Sequence, residues 1–243
     1  MTERFYLPQP LDRPEVTLSG SEAHHLAHVL RIAAGATVTL FDGEGTTAVA
    51  EVLSVSKRDV TLRPRSVVKE PDVAPRITLA VAPPKGDRFR WLVEKATELG
   101  VARLVPLLTR RTVVDPRESK LDKLRQTMVA ACKQCGRNRL MELTEPIRFE
   151  SLLSNVAFAG ERLILLHPSD KSLSFAPLES GQAGVTLLIG PEGGFTEEET
   201  QQAIDRGAEI AALGRTILRT ETAAIAAAAV AMHTTAGNQS FSS

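Results

Sequence analysis

The sequence predicts an α/β protein in two parts, a small β-barrel over residues 1–70 and an α/β region with a mainly parallel sheet over residues 76–243. Three observations predict it. Short alternating segments separated by tight turns fill the first seventy residues, as in small barrels. Pro71 and Pro75 punctuate a stretch that reads as a linker over 71–75. Beyond it, short apolar runs alternate with helical patterns, which implies a parallel sheet covered on both faces.

In the first part, Ser19-Gly20-Ser21-Glu22 has the Ser-x-x-Glu spacing of a capping box, so a helix is expected over about 21–31, stopped by Gly35. Residues 37–41 alternate at period two. Asp42-Gly43-Glu44-Gly45 is turn chemistry. Residues 49–55 alternate again, and Val60-Thr61-Leu62 follows the Lys57-Arg58-Asp59 turn. In the second part, 77–82 is an apolar run, 89–99 an amphipathic helix stopped by Gly100, and 101–108 the next strand. A helix is expected over 121–135, stopped by Gly136. Residues 163–166, 185–189 and 210–213 read as short buried strands. Thr196-Glu197-Glu198-Glu199 is a capping box opening a helix to about Arg206. An Ala-rich helix is expected over 222–235, and the tail 239–243 is expected to fray.

Composition narrows the function classes. The 243 residues are 43% hydrophobic and 24% charged, which excludes global disorder. Lys+Arg and Asp+Glu both number 29, so whole-chain charge points to neither a nucleic-acid binder nor a membrane-surface binder. The distribution is uneven. Residues 85–139 carry 14 basic and 6 acidic side chains, whereas 140–243 carry 6 and 13. A basic segment attracts phosphates even in a neutral chain, although solvated helices with mixed charges would look the same. Aromatics at 4% argue against a stacking-rich single-strand surface. The longest nearly apolar run, 223–232, is far short of the ~20 residues that cross a bilayer. No apolar signal core opens the chain, and two cysteines exclude a disulfide scaffold. The expectation is a soluble protein of a reducing compartment.

Ligands in open α/β sheets sit at the carboxyl ends of strands. Three such ends stand out: Leu166-His167-Pro168, the loop from Ile189 through Gly190-Pro191-Glu192-Gly193-Gly194 to Phe195, and Leu213-Gly214-Arg215. Their glycines let main chain approach a ligand or take positive φ, exposing N–H and C=O groups that can read a flat base. One such loop would pass for an ordinary turn; three point to a shared ligand site. Neither Gly-x-Gly-x-x-Gly nor a P-loop pattern occurs, so a Rossmann or P-loop site is not indicated. Cys132-Lys133-Gln134-Cys135 closes a helix instead of opening one, and no second cysteine pair completes a zinc site. His24 and His28 share a helical spacing but have no third ligand, so no metal is expected. The densest signal runs from Leu213 to Ala224, a polar loop entering the Ala-rich helix. There Arg219 and Glu221 are either a structural ion pair or a cation facing substrate.

Taken together, residues 188–195 and 213–223, with Trp91 to Gly100 and His24-His25-Leu26, resemble the RsmE-type small-subunit rRNA methyltransferases of the SPOUT (trefoil-knotted) superfamily. The resemblance spans nearly the whole chain. It implies an N-terminal PUA-like β-barrel and a C-terminal SPOUT α/β knot, S-adenosylmethionine as methyl donor, and a cytoplasmic homodimer. It implies N3 of a uridine in 16S rRNA, free or in the small subunit, as the acceptor. On this reading Leu166, His167, Gly190, Pro191, Glu192, Gly193, Leu213, Gly214 and Leu218 hold the donor. Arg4, Arg31, Lys85, Arg88, Arg110, Arg111, Arg137 and Arg139 hold rRNA phosphates. Arg219 stabilises charge on the uracil oxygens, and Glu221 orients Arg219 or takes the N3 proton. Two alternatives stay open: methylation of a ribose 2′-hydroxyl, and a non-catalytic RNA-binding assembly factor.

Overall fold

Period-two patterning in the first part becomes a five-stranded sheet. A computed structural model describes residues 2–71, 76–114, 118–155, 160–168 and 184–236; most of the expected linker and the 239–243 tail lie outside these described residues. The chain forms two units, Met1–Asp72 with Cys132–Leu140, and Val73–Ala131 with Met141–Ser243.

In the first unit, strands β1 (Arg4–Tyr6), β2 (Val16–Ser19), β3 (Thr37–Phe41), β4 (Thr46–Val55) and β5 (Asp59–Lys69) are ordered β1-β3-β4-β5-β2 in a curled half-barrel. β1 and β3 are parallel; the other pairs are antiparallel. Phe5, Leu18, Leu40, Val52, Val60 and Leu62 turn inward and are buried. Side chains of this size contribute about 1.5–3 kcal/mol each when buried. The expected helix over 21–31 is a single turn, α1 (Gly20–His24), running into a π-helical turn, His25–Val29, with Ala23 and Leu26 in the core. The expected capping box at Ser19 is not formed. The Glu22 carboxylate instead accepts from the Tyr6 N–H at 3.0 Å and from Lys133 Nζ at 2.9 and 3.0 Å. A charge-assisted partner outcompetes the local cap. β5 runs seven residues past the expected 60–62 because most of its later side chains are exposed, so burial leaves no alternation to read. β1 and β2, at three and four residues, are too short to show a period. Gly45 closes the β3–β4 turn at φ +93°, and a Cβ there would sit 2.7 Å from the Arg139 guanidinium.

The second unit alternates as expected: β6 (Arg76–Val81), α2 (Arg88–Glu98), β7 (Arg103–Leu108), α3 (Glu118–Cys135), β8 (Glu142–Leu143), β9 (Ile147–Arg148), α4 (Phe149–Leu153), β10 (Arg162–Leu166), β11 (Gly184–Ile189), α5 (Glu197–Asp205), β12 (Glu209–Ala211) and α6 (Thr220–Ala236). The last turn of α3, from Cys132, counts with the first unit. The sheet order is β12-β10-β11-β6-β7-β8, with β9 beside β7, and every pair is parallel. Every residue of β11 is buried, as both-face cover requires. One face packs Ala80, Val105, Leu165 and Leu188 against Phe149 of α4 and Ala203 of α5. α6 contacts β6, β11 and α2, and its buried Ala224, Ala227, Ala228 and Ala231 recur at i, i+3, i+4 and i+7. The capping box of α5 is complete: the Thr196 hydroxyl accepts from Glu199 N at 3.1 Å, and the Glu199 carboxylate accepts from Thr196 N at 2.8 Å. No helix among the described residues is long and apolar enough to cross a membrane.

Candidate functional site

Parallel register brings three strand ends level. Leu166 lies opposite Ile189 on one side and Ala211 on the other. The loops leaving β10, β11 and β12 therefore emerge side by side and line one cleft of about 310 Å³, within the range of small-molecule sites. All nine residues expected to hold a donor line it: Leu166, His167, Gly190, Pro191, Glu192, Gly193, Leu213, Gly214 and Leu218.

The first loop is folded on itself. Gly194 N donates to Pro191 O at 2.8 Å, and Thr220 at the start of α6 donates its hydroxyl to Gly190 O at 3.2 Å. At Gly190 a Cβ would come within 3.2 Å of both the Gly194 carbonyl carbon and the Phe195 ring, so the turn requires glycine for space. The second loop is open. The main-chain N–H groups of Leu213, Gly214 and Leu218 have no hydrogen-bond partner among the described residues. Unspent donors above an apolar floor of Leu166, Ile189 and Leu218 suit a nucleoside, whose base offers acceptors on a flat apolar ring. His167 contributes less main chain than expected, since its N–H donates to Ala211 O at 3.0 Å.

The charged groups are arranged differently from the sequence expectation. Arg219 is exposed and has no ion pair among the described residues. Glu221 is buried, lies outside the cleft lining, and meets Arg88 at 3.7 Å. The Arg219–Glu221 ion pair, one of the two readings open in the sequence, is not made, because positions two apart at a helix start point to different sides. The second carboxylate oxygen of Glu221 is buried without a hydrogen bond among the described residues. Arg88 also approaches Glu192 at 3.6 Å, so it bridges α6 and the glycine loop.

Besides Arg88, the arginines and the lysine expected at RNA fall into three groups. Arg31, Lys85 and Arg110 are exposed, Arg110 beside Glu198, with its N–H donating to Glu199 at 2.8 Å. Arg111 lines the cleft instead. Arg4, Arg137 and Arg139 serve the first unit's own packing. Arg4 donates to Asn138 Oδ1 at 2.6 Å and to Arg137 O at 3.2 Å, and lies 5.1 Å over the Phe41 ring. Asn138 in turn donates to Glu70 at 2.6 Å. Burial pushes the Arg137 guanidinium below its ordinary pKa, and Arg139 packs against Gly45. Cys132 is buried and Cys135 exposed, both free; burial raises the Cys132 thiol to about 11, which leaves it unreactive. His24 and His28 rings lie 5.0 Å apart, but no group able to hold a metal occurs among the described residues. Sequence reasoning missed Thr220, Arg88 as a bridge, and Arg111 in the cleft. For Arg111 a signal existed, since it follows the carboxyl end of β7.

Comparisons with known proteins match the two units. Residues 71–232 match the family described as an RNA methyltransferase domain, and residues 18–65 the RNA methyltransferase PUA domain. The chain is 32% identical over 223 residues to the ribosomal RNA small subunit methyltransferase E of Bacillus subtilis, covering 87% of each. It resembles the Neisseria gonorrhoeae protein of that name, solved with S-adenosyl methionine, at 30% identity and a TM-score of 0.86, covering 95% and 96% of the two chains. A methyltransferase from Legionella pneumophila, solved with bound SAM, gives 34% identity and a TM-score of 0.84 over the same shares.

Proposed function

The chain belongs to the ribosomal RNA small subunit methyltransferase E family, and from that premise we propose that it methylates N3 of a uridine in 16S rRNA, with S-adenosylmethionine as donor. One observation carries the reading: three level strand ends form a single cleft with open main-chain donors, and Arg219, with no ion pair among the described residues, enters α6 beside it. The nine lining residues named above would hold the donor, with the adenosine against Leu166 and Leu218 and the 213–218 main chain. When bound, the donor supplies a methyl group on positively charged sulfur. The residues supply alignment and charge. Uracil N3 carries a proton and is a poor nucleophile until it leaves. Arg219 stabilises the resulting charge on the uracil oxygens. Glu221 lies outside the cleft lining, with one carboxylate oxygen unpartnered among the described residues, so it could take the proton only through an intervening group. The cleft would hold the nucleophile near the methyl, a proximity contribution. N3 lies on the pairing edge, so the base reacts unpaired.

The exposed Arg31, Lys85 and Arg110 are proposed to meet RNA phosphates, so rRNA affinity should fall steeply between low and moderate salt. A homodimer in the cytoplasm completes the proposal. The partly exposed Trp91 on α2 and Val230 on α6 support a further contact, and sedimentation checks it. The deciding experiment incubates the protein with labelled S-adenosylmethionine and unmodified small subunits, then digests to nucleosides. Label in 3-methyluridine is the expected result. Label in a 2′-O-methyl nucleoside would move the target to ribose, and no transfer despite donor binding would make the protein an assembly factor.

A further inference from the structure

The cleft contains one permanent cation among its described lining residues, Arg111, and the charge pattern of the sequence had assigned it to RNA. Its surroundings are specific. Nη1 donates to Gly193 O at 2.5 Å and reaches Phe195 O at 3.5 Å, which pins the guanidinium along the glycine loop. Gly193 permits this approach, since a Cβ there would stand 3.3 Å from Arg111 Cδ. Nε and Nη2 have no hydrogen-bond partner among the described residues. A guanidinium fixed at one nitrogen and open at the others presents a planar fork, the geometry that matches a carboxylate.

We infer that Arg111 reads the carboxylate of the methyl donor's amino-acid moiety. The inference rests on the cleft being the donor site, and it selects one anion over another. Arg111 is exposed, as the side chains proposed for phosphate are, and what sets it apart is its tie to the loop that lines the donor cleft. The donor carries two positive groups, sulfonium and ammonium, and a single negative one. A carboxylate brought into a part-apolar cleft without a cation would forfeit its hydration uncompensated. Glu192, on the same loop and 3.6 Å from Arg88, is placed to suit the ammonium of the same moiety.

Two probes separate this role from a merely structural one. 5′-Methylthioadenosine shares the adenosine and sulfur of S-adenosylmethionine and lacks the amino acid. Calorimetry on the full chain compares wild type, Arg111→Ala and Arg111→Lys with each compound. The expected result is that Arg111→Ala weakens S-adenosylmethionine binding by about tenfold or more and changes 5′-methylthioadenosine binding by less than about twofold. Arg111→Lys should fall between, keeping charge and losing the fork. Unchanged S-adenosylmethionine affinity would overturn the inference. So would a parallel loss for both probes, which would make Arg111 a brace for the loop, or a loss confined to an rRNA fragment, which would return it to phosphate. A wild-type protein that binds neither compound would fail at the donor site itself, a result distinct from a failure at Arg111.

Discussion

Two arginines of each unit meet opposite fates. In the first unit Arg4 is locked to Asn138 and to the carbonyl of Arg137, over an aromatic ring, while Arg139 fills the space left by Gly45. In the second, Arg219 stands exposed with no ion pair among the described residues, and Arg111 keeps two nitrogens without a partner among them, beside a cleft. The difference teaches how to read a basic segment. A part-buried guanidinium is held by the acceptors around it, as Arg4 is through Nη2, although its Nε is buried without a partner among the described residues; an orphaned group of that kind costs about 1–3 kcal/mol. An open one is free to meet a ligand. Net charge counts both alike.

Breaking the comparison at its extremes gives the largest effect. Arg219→Ala should lower methyl transfer about 100- to 1000-fold in single-turnover assays while donor affinity by calorimetry stays nearly level. A primary loss of donor binding would place Arg219 with the structural arginines. At the other extreme, Asn138→Leu removes the buried hub between Arg4 and Glu70 and should destabilise the protein by about 2–3 kcal/mol in denaturant titration, with donor affinity retained.

A smaller effect is expected where the second unit is self-satisfied. Thr196→Ala deletes half of the α5 capping box and should cost about 1 kcal/mol. A further effect appears only in alkali. Burial lifts the Cys132 thiol from 9.0 to about 11, so the folded state holds that proton more tightly than the unfolded chain. The associated stability is fully present below pH 9.0 and is lost as pH rises towards about 11. Unfolding midpoints across that window should slope downward, and Cys132→Ser should flatten them. Thiol labelling at neutral pH should reach Cys135 alone.

Legibility followed the range of the interactions involved. β3 and α2 were readable to within a residue because a five-residue alternation and an apolar stripe over three turns are local patterns. β8, β9 and α4, of two, two and five residues, leave no period. The loops that line the cleft were readable because they follow apolar strands, two of them through glycines, whereas Leu218 came only with the family resemblance. Thr220 was not readable, since its bond to Gly190 depends on which strands become neighbours, and Arg111 had only the signal that it follows the carboxyl end of β7. The Ser19 capping box misled, because a local spacing is silent about Lys133, 111 residues away.

The sequence by itself determined the types of element, the positions where main chain had to be bare, and the loops that could hold a flat ligand, all properties set within a few residues. Tertiary structure alone decided which charged groups were consumed and which were left for chemistry. The reason is physical: a guanidinium's partners are chosen by proximity in space, and for Arg4 and Asn138 that meeting joins residues 134 positions apart.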